Sequence, residues 1–186
     1  MTMRQFIGEV RANPGLLPKI AVAIYRFGNW ICKCVHIPLV RQVLYSLYRV
    51  LDLFFLKLLL NTDLPGGATF GPGLKIFHPY GILVNDEAVI GGWCTLRAGV
   101  VIGNKGTKGG CPVIGESCDF GAGAKIIGDI TLGDGCVVGA NAVVTKSFPC
   151  GSILGGVPAK VLGRREEVPD IDEGKEAGNG SEGLSS

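Results

Sequence analysis

Residues 114–143 decide the fold, because they divide into five units of six: IGESCD, FGAGAK, IIGDIT, LGDGCV and VGANAV. Each unit opens on a large apolar residue, and a small or medium apolar residue follows four positions later, as Cys118 and Ala124 do. Glycine comes directly after the large residue in four of the five units. This spacing is typical of a parallel β-helix, in which three short strands and three turns close one triangular coil.

The repeat extends towards the N-terminus from this stretch. Large apolar residues recur every six positions at Leu64, Phe70, Ile76 and Ile82. After a slip of two residues, which we place after Ile82, the same spacing resumes at Ile90, Leu96 and Ile102. A doubled step then leads to Ile114 and leaves an extruded loop at 103–112, which contains four glycines, counting the opening Gly103, and two lysines. We therefore predict an all-β repeat domain over residues 61–163, with the large side chains filling a prism.

Glycine and charge divide the chain of 186 residues into three zones. Residues 61–163 hold 23 of the 30 glycines and carry seven acidic and seven basic residues. Residues 1–60 carry eight basic and two acidic residues, whereas residues 164–186 carry three and seven. Because 47% of the residues are hydrophobic, wholesale disorder is excluded. A neutral repeat zone offers little to nucleic acid, and we expect a disordered acidic tail over 164–186.

Residues 1–60 predict an α-helical, basic and apolar region. Four charged residues interrupt the apolar segment from Leu39 to Leu60, which argues against a membrane-spanning helix. Two interpretations stay open: the helix lies in the plane of a membrane surface, or it packs on its own or a neighbouring subunit. No apolar run near Met1 suits a signal peptide. We expect a cytoplasmic protein, either free or peripheral on the cytoplasmic face of the membrane.

The seven cysteines are interpreted as free thiols in a reducing compartment. Cys94, Cys118 and Cys136 fall in the column of small inward residues, where a reduced cysteine packs as a small hydrophobe. The spacing of Cys118 and Cys136 also permits a disulfide between adjacent coils. Cys32 and Cys34 lack a second Cys or His pair, so we expect no metal site.

His78 is the residue that points to catalysis. Function on a solenoid is expected where the repeat breaks, and His78 lies at the first break, outside the inward columns. The other histidine, His36, lies in the helical zone. Imidazole is the side chain best suited to act as a general base near neutral pH. The extruded loop marks the second break, where glycine backbone and lysine suit anionic phosphates.

Four segments carry a family resemblance: FHPYGI at 77–82, GAGAKIIG at 121–128, GANAVVTK at 139–146 and GVPAK at 156–160. Over residues 63–163 the chain resembles the serine O-acetyltransferase-like group of hexapeptide-repeat acyltransferases. The resemblance implies a left-handed parallel β-helix, a homotrimer, acetyl-CoA as donor, and active sites between subunits.

The resemblance also implies roles for individual residues. His78 falls on the general base, and Asp63 on the carboxylate that orients it, with a coil-end cap as the alternative for Asp63. Glycine–alanine pairs would line the pantetheine groove, with the extruded loop and Lys146 near it, although a surface charge is an equal alternative for Lys146. The residues expected near acetyl-CoA are Asn104, Lys105, Gly121, Ala122, Gly139, Ala140 and Lys146.

Three departures from the serine-using members concern the acceptor. Those members have an acidic residue at the position of Phe77 and a second histidine at the position of Cys111. They also have a basic residue shortly before that histidine, where the loop of this chain reads Gly109-Gly110. Without polar partners, a small zwitterion such as free serine is costly to bury. We therefore expect direct acetyl transfer to a hydroxyl of a sugar or lipid-linked polysaccharide precursor.

Other functions stay open at this point. Serine O-acetyltransferase in cysteine biosynthesis is the alternative of the same class, and a non-catalytic β-helix scaffold is weaker. A zinc-dependent hydratase would need three imidazoles near a subunit boundary, and the repeat zone has one histidine.

Overall fold

The helical region of the computed structural model precedes a β-domain, and the structure describes residues 2–106 and 109–165. The helices are α1 (Met3–Ala12), α2 (Leu16–Cys34) and α3 (Pro38–Leu51), followed without a break by a π-helix (Asp52–Leu59). Thr2 begins α1 with a reciprocal capping box. Among the described residues, none of the helices combines the length and apolarity that a membrane crossing requires.

Fourteen short strands follow in the described part of the chain. They are β1 (Thr69–Phe70), β2 (Lys75–Phe77), β3 (Leu83–Val84), β4 (Val89–Ile90), β5 (Thr95–Arg97), β6 (Val101–Gly103), β7 (Val113–Ile114), β8 (Asp119–Phe120), β9 (Lys125–Ile127), β10 (Thr131–Leu132), β11 (Val137–Val138), β12 (Val143–Val144), β13 (Ser152–Gly155) and β14 (Lys160–Arg164).

The strands form three parallel faces of a triangular prism. Sheet A contains β3, β6, β9 and β12, sheet B contains β1, β4, β7 and β10, and sheet C contains β2, β5, β8, β11 and β13. The chain passes from sheet B to C to A in every coil, and coils stack at about 4.8 Å. The prediction of a parallel β-helix with a helical N-terminal region is confirmed.

Two columns of turns border sheet A. The C/A edge is the column of turns that lead from sheet C into sheet A, at residues 78–82, 98–100, 121–124 and 139–142. The A/B edge is the column of turns that lead from sheet A towards sheet B, at residues 85–88, 104–106, 109–112, 128–130 and 145–147.

The two-residue slip lies earlier than predicted. Val84, not Ile82, stacks in register on Ile102 and takes the place of the large inward residue. Ile82 instead occupies the position of the small inward residue, where it is fully buried. The two extra residues therefore lie between Ile76 and Val84, in the turn that carries His78.

The three predicted core cysteines behave as small buried residues. Cys94, Cys118 and Cys136 are at most 1% exposed, and each thiol donates to a backbone carbonyl oxygen at 3.3 or 3.4 Å. All seven cysteines lie in the described ranges and are free. The interpretation as small buried hydrophobes is confirmed, and no disulfide joins Cys118 to Cys136 in the structure.

Side chains of α1 and α2 replace a missing coil at the N-terminal end of the prism. The Tyr25 hydroxyl donates to the Ala68 carbonyl at 2.9 Å and accepts the Phe70 N–H at 3.2 Å. The side-chain amide of Asn13 likewise donates to the Leu74 carbonyl and accepts the Ile76 N–H at the start of β2. These contacts satisfy backbone groups of β1 and β2 that would otherwise form an open sheet edge.

A buried ion pair completes this closure. The side chains of Arg26 and Glu9 are 6% and 2% exposed, and Arg26 donates to both carboxylate oxygens at 2.8 and 2.6 Å. Glu9 also accepts the Leu74 N–H at 2.7 Å, while Arg26 donates to the Phe70 carbonyl at 2.9 Å. The pair is thus held in one geometry by backbone groups of the first coil.

At the other end, β14 runs antiparallel to β13, with Arg164 opposite Ser152. The boundary that we predicted after residue 163 therefore falls inside β14, because sheet C gains a final strand there. The remainder of the predicted tail, from residue 166, lies outside the described residues.

Candidate active site

The turn that carries His78 begins where β2 ends, at the C/A edge. The φ angle of His78 is +56°, a left-handed conformation that costs a residue with a side chain about 1 kcal/mol or more. The Tyr80 N–H donates to the His78 carbonyl at 2.7 Å and tightens the turn. The histidine is exposed at the surface. An exposed, strained histidine in an inserted turn is a candidate functional residue.

Asp63 lies on sheet A, one coil away from this turn. It forms a parallel bridge with Leu83, and its N–H donates to the Ile82 carbonyl at 2.8 Å. Its carboxylate, 44% exposed, lies 3.4 Å from Lys57 Nζ of the π-helix. Among the described residues no hydrogen bond joins the side chains of Asp63 and His78.

Thr62, which our sequence analysis missed, ties the two segments together. Its hydroxyl donates to the Pro79 carbonyl at 2.9 Å and accepts the Ile82 N–H at 3.2 Å, and the residue is 1% exposed. Because Thr62 precedes Asp63 and Pro79 follows His78, the hydrogen bond from Thr62 to Pro79 links the segments that carry the two predicted catalytic residues. In the sequence, Thr62 is a polar residue at one of the small inward positions that are otherwise mostly apolar, and this exception could have indicated its role.

Four predicted ligand residues share the C/A edge with His78. Gly121–Ala122 and Gly139–Ala140 lie in turns of two successive coils, and both alanines are exposed. A Cβ on Gly121 would lie 2.5 Å from the Ala140 nitrogen, so coil stacking itself requires glycine there. At about 4.8 Å per coil, a strip lined by small residues runs roughly 15 Å from the His78 turn to Ala140.

The other three predicted ligand residues lie at the A/B edge. Asn104 and Lys105 follow β6, and Lys146 follows β12. Asn104 donates to the Gly106 carbonyl at 2.7 Å, and both lysines are exposed. Within one chain, the width of sheet A separates this group from His78.

An aromatic and ion-paired cluster covers sheet C beside His78. Phe77 and Arg97 are neighbours in register on β2 and β5, and the guanidinium carbon lies 5.7 Å from the centre of the Phe77 ring. Arg97 also forms a two-point ion pair with Asp119, with the longer contact at 3.3 Å. Both charges are therefore paired, and the aromatic ring lies directly next to His78 in the chain.

Cys111 stands where the serine-using members have a second histidine. It is partly buried, and burial together with the nearby carboxylates of Glu87 and Asp86 raises the pKa of its thiol. The thiol therefore stays protonated at neutral pH and cannot replace an imidazole as a base. No group of three potential metal ligands is assembled among the described residues.

Comparison with known proteins adds sequence relatives. Residues 111–146 match the family described as bacterial transferase hexapeptide (six repeats). WcaB of Escherichia coli K12, provisionally named a colanic acid biosynthesis acetyltransferase, is 36% identical over 160 residues, which cover 82% of this chain and 96% of WcaB. Serine acetyltransferase of Mycobacterium tuberculosis is 36% identical over 117 residues, which cover 62% of this chain and 51% of that protein.

The solved structures agree with these relatives. Serine acetyltransferase of Brucella abortus strain S19 in complex with coenzyme A matches with a TM-score of 0.71 and 28% identity, over 87% of this chain and 66% of that chain. The chain spans about half the length of the first serine acetyltransferases that it matches in sequence, at 51% and 56%.

Proposed function

Since the chain belongs to the hexapeptide-repeat acyltransferases, in the serine O-acetyltransferase-like group, we propose that it transfers an acetyl group from acetyl-CoA to a hydroxyl of a sugar or polysaccharide precursor. The observation that carries this proposal is the exposed His78, held in the inserted turn at the head of an edge lined by small residues. The free cysteines suit a reducing compartment such as the cytoplasm.

In the proposed reaction His78 takes the proton of the acceptor hydroxyl while its oxygen attacks the acetyl carbonyl carbon. The new carbon–oxygen bond forms, the carbon–sulfur bond of the thioester breaks, and the proton passes from the imidazolium to the departing sulfur. Asp63 orients the imidazole and stabilises its charged form, which requires the carboxylate to turn from Lys57 towards His78. Such contacts often tighten only when substrate is bound.

The surroundings of His78 support a sugar acceptor. Free serine carries a carboxylate and an ammonium group, and each needs an opposite charge when water is removed. Arg97 and Asp119 are already paired with each other, and the Phe77 ring, one face of which Arg97 covers, adds an apolar surface rather than a charge beside His78. The name of WcaB refers to colanic acid, a polysaccharide.

The division of the predicted ligand residues between two edges supports a homotrimer. A ligand that contacts both groups must lie between two copies of the chain, because sheet A separates the groups within one copy. One copy then supplies His78, Ala122 and Ala140, and the next supplies Asn104, Lys105 and Lys146 for the phosphates of acetyl-CoA.

His78→Ala tests the catalytic proposal. With labelled acetyl-CoA and a panel of sugar acceptors, we expect the transfer rate to fall by about 100-fold or more, because the general base is lost. Coenzyme A binding by calorimetry and the circular dichroism spectrum should persist. His36→Ala, which changes the other histidine, is the matched control and should retain the full rate. Full turnover by folded His78→Ala would exclude His78 as the base.

Serine O-acetylation is the second candidate, because the chain is 36% identical to a serine acetyltransferase. The same assay with free serine separates the two. Saturable O-acetylserine formation that exceeds transfer to every sugar would replace the sugar proposal. A scaffold without activity would show no calorimetric signal with coenzyme A.

A further inference from the structure

The π-helix brings two opposite charges together beside Asp63. In a π-helix residue i is hydrogen-bonded to residue i+5, so residues five apart lie on one side, whereas in an α-helix they would point about 140° apart. Asp52 and Lys57 are such a pair. Lys57 Nζ lies 3.6 Å from Asp52 Oδ2 and 3.4 Å from Asp63 Oδ1. One ammonium group therefore lies between two carboxylates, and Asp52, Lys57 and Asp63 form an ion-pair row.

One oxygen of the Asp52 carboxylate is left without a partner. Asp52 is 4% exposed, and its Oδ1 is buried and accepts no hydrogen bond from the part of the chain that the structure describes. Burial raises the pKa of Asp52, and the charge of Lys57 opposes that change. A buried carboxylate oxygen needs a donor. Lys57 can supply one, because its ammonium group carries three N–H donors on a flexible stem.

The contact between Lys57 and Asp63 is easily exchanged for another. Both side chains are partly exposed, at 38% and 44%, and ion pairs of this kind contribute little to stability. In the proposed reaction His78 becomes positively charged when it takes the proton of the acceptor hydroxyl. The imidazolium then offers Asp63 a charged hydrogen-bond donor, which is a stronger partner than a solvated ammonium group.

Backbone hydrogen bonds hold the ion-pair row beside the inserted turn. Gly81 of that turn donates its N–H to the carbonyl of Leu60, directly after the π-helix, at 3.1 Å. Thr62 donates its N–H to the Leu56 carbonyl, within the π-helix, at 2.8 Å. The inserted turn and the segment that carries Asp63 are thus both attached to the π-helix, so an exchange of partners requires only side-chain movement.

The other charged groups nearby are engaged elsewhere. Arg49 of α3 acts on Asp52, whose ionised form it favours. On sheet C, Arg97 is paired with Asp119. Among residues 2–106 and 109–165, Lys57 is the one basic residue within ion-pair distance of Asp63.

We propose that Lys57 is a positioning residue that determines when Asp63 is available to His78. In the resting state Lys57 holds Asp63. When His78 becomes charged, Asp63 turns to the imidazolium, and Lys57 pairs fully with Asp52, whose free oxygen accepts the additional N–H. This inference rests on the roles proposed above for His78 and Asp63, and it adds a regulation of that same site.

Titration of the His78 ring in the absence of substrate tests this exchange. The chain contains two histidines, so in a His36→Ala background the NMR signal of isotope-labelled histidine comes from His78 alone. Lys57→Met should move the titration midpoint to higher pH by about 0.5 unit, because Asp63 is then free to stabilise the imidazolium. Arg41→Met removes an exposed charge at the far end of the same helix and should leave the midpoint unchanged. An unchanged or lower midpoint in Lys57→Met would overturn the proposal.

Asp63→Asn separates the exchange from simple repulsion between Lys57 and His78. In this background Lys57→Met should not move the midpoint, because the carboxylate that Lys57 withholds is absent. Repulsion alone would move the midpoint equally in both backgrounds, and that result would also overturn the proposal. Neither titration requires acetyl transfer. Failure of the exchange is thereby distinguishable from failure of the proposed activity, which the His78→Ala assay tests.

Asp52→Asn tests the second partner of Lys57. Without the Asp52 carboxylate Lys57 should stay on Asp63, and kcat should fall about fivefold. Adding Lys57→Met should restore kcat, because Asp52 acts through Lys57. If the loss persists in the folded double variant, Asp52 is merely structural and the exchange is wrong. The double variant also removes the buried unpaired charge, so it replaces Lys57→Met in the titrations if that single variant fails to fold.

Discussion

Single side chains close the N-terminal end of the prism. Tyr25, Asn13 and the Glu9–Arg26 pair make hydrogen bonds that a further coil would otherwise make with the first one. Burial raises the pKa of Tyr25 to about 12, so its hydroxyl remains a donor at any physiological pH. These polar residues of the otherwise apolar helical region are buried because they form hydrogen bonds with the backbone of the first coil.

Arg26→Met tests this closure. The substitution leaves the Glu9 carboxylate buried without a counter-charge and the Phe70 carbonyl without its donor. We expect the free energy of unfolding, measured with urea, to fall by about 3–5 kcal/mol. Arg4→Met, at an exposed position of α1, should change it by less than about 0.5 kcal/mol. Equal effects of the two substitutions would show that the ion pair does not close the prism.

At the scale of elements, the inserted turn between β2 and β3 is the feature that distinguishes this β-helix. The period of six predicted the slip after Ile82, because Ile82 continues the spacing from Ile76, and this position was wrong. Only the pairing of Val84 with Ile102 places the two extra residues in the turn itself. The buried hydroxyl of Thr62 then holds that turn against the preceding segment.

Thr62→Val tests whether Thr62 positions the catalytic turn. The change keeps the shape of the side chain but removes the donor to Pro79, so we expect kcat to fall about tenfold through misplacement of His78. The KM for acetyl-CoA should stay unchanged. Thr62→Ser retains the hydroxyl and should restore most of kcat. If Thr62→Ser is as slow as Thr62→Val, the hydrogen bond is not what positions the turn.

At the scale of the whole molecule, the distribution of the predicted ligand residues is the main result. The chain order interleaves them, with the loop residues between His78 and Ala122, yet the coil places them at two separate edges of sheet A. A complete site in our proposal therefore requires two copies.

Mixed assembly tests the shared site. The single variant His78→Ala and the double variant Asn104→Ala/Lys105→Ala should each have low activity alone. Each removes the functional side chains that one of the two edges contributes to every site. Unfolding and refolding them together should recover part of the activity, since some interfaces then combine two intact edges. A mixture of His78→Ala with Ala140→Trp, both changed at the same edge, should recover nothing. Equal recovery in both mixtures would contradict the inter-subunit site.

The amino-acid sequence alone determined the repeat, the inward columns with their cysteines, the helical start and the candidate base. These features depend on local periodicity, because every six-residue unit carries the same pattern of large and small apolar residues. The tertiary structure alone decided the site of the insertion, the closure of the prism by α1 and α2, the contact of Asp63 with Lys57 and the separation of the ligand residues. Those features depend on the stacking register between residues distant in the chain, and a pattern of six leaves that register undetermined wherever it is interrupted.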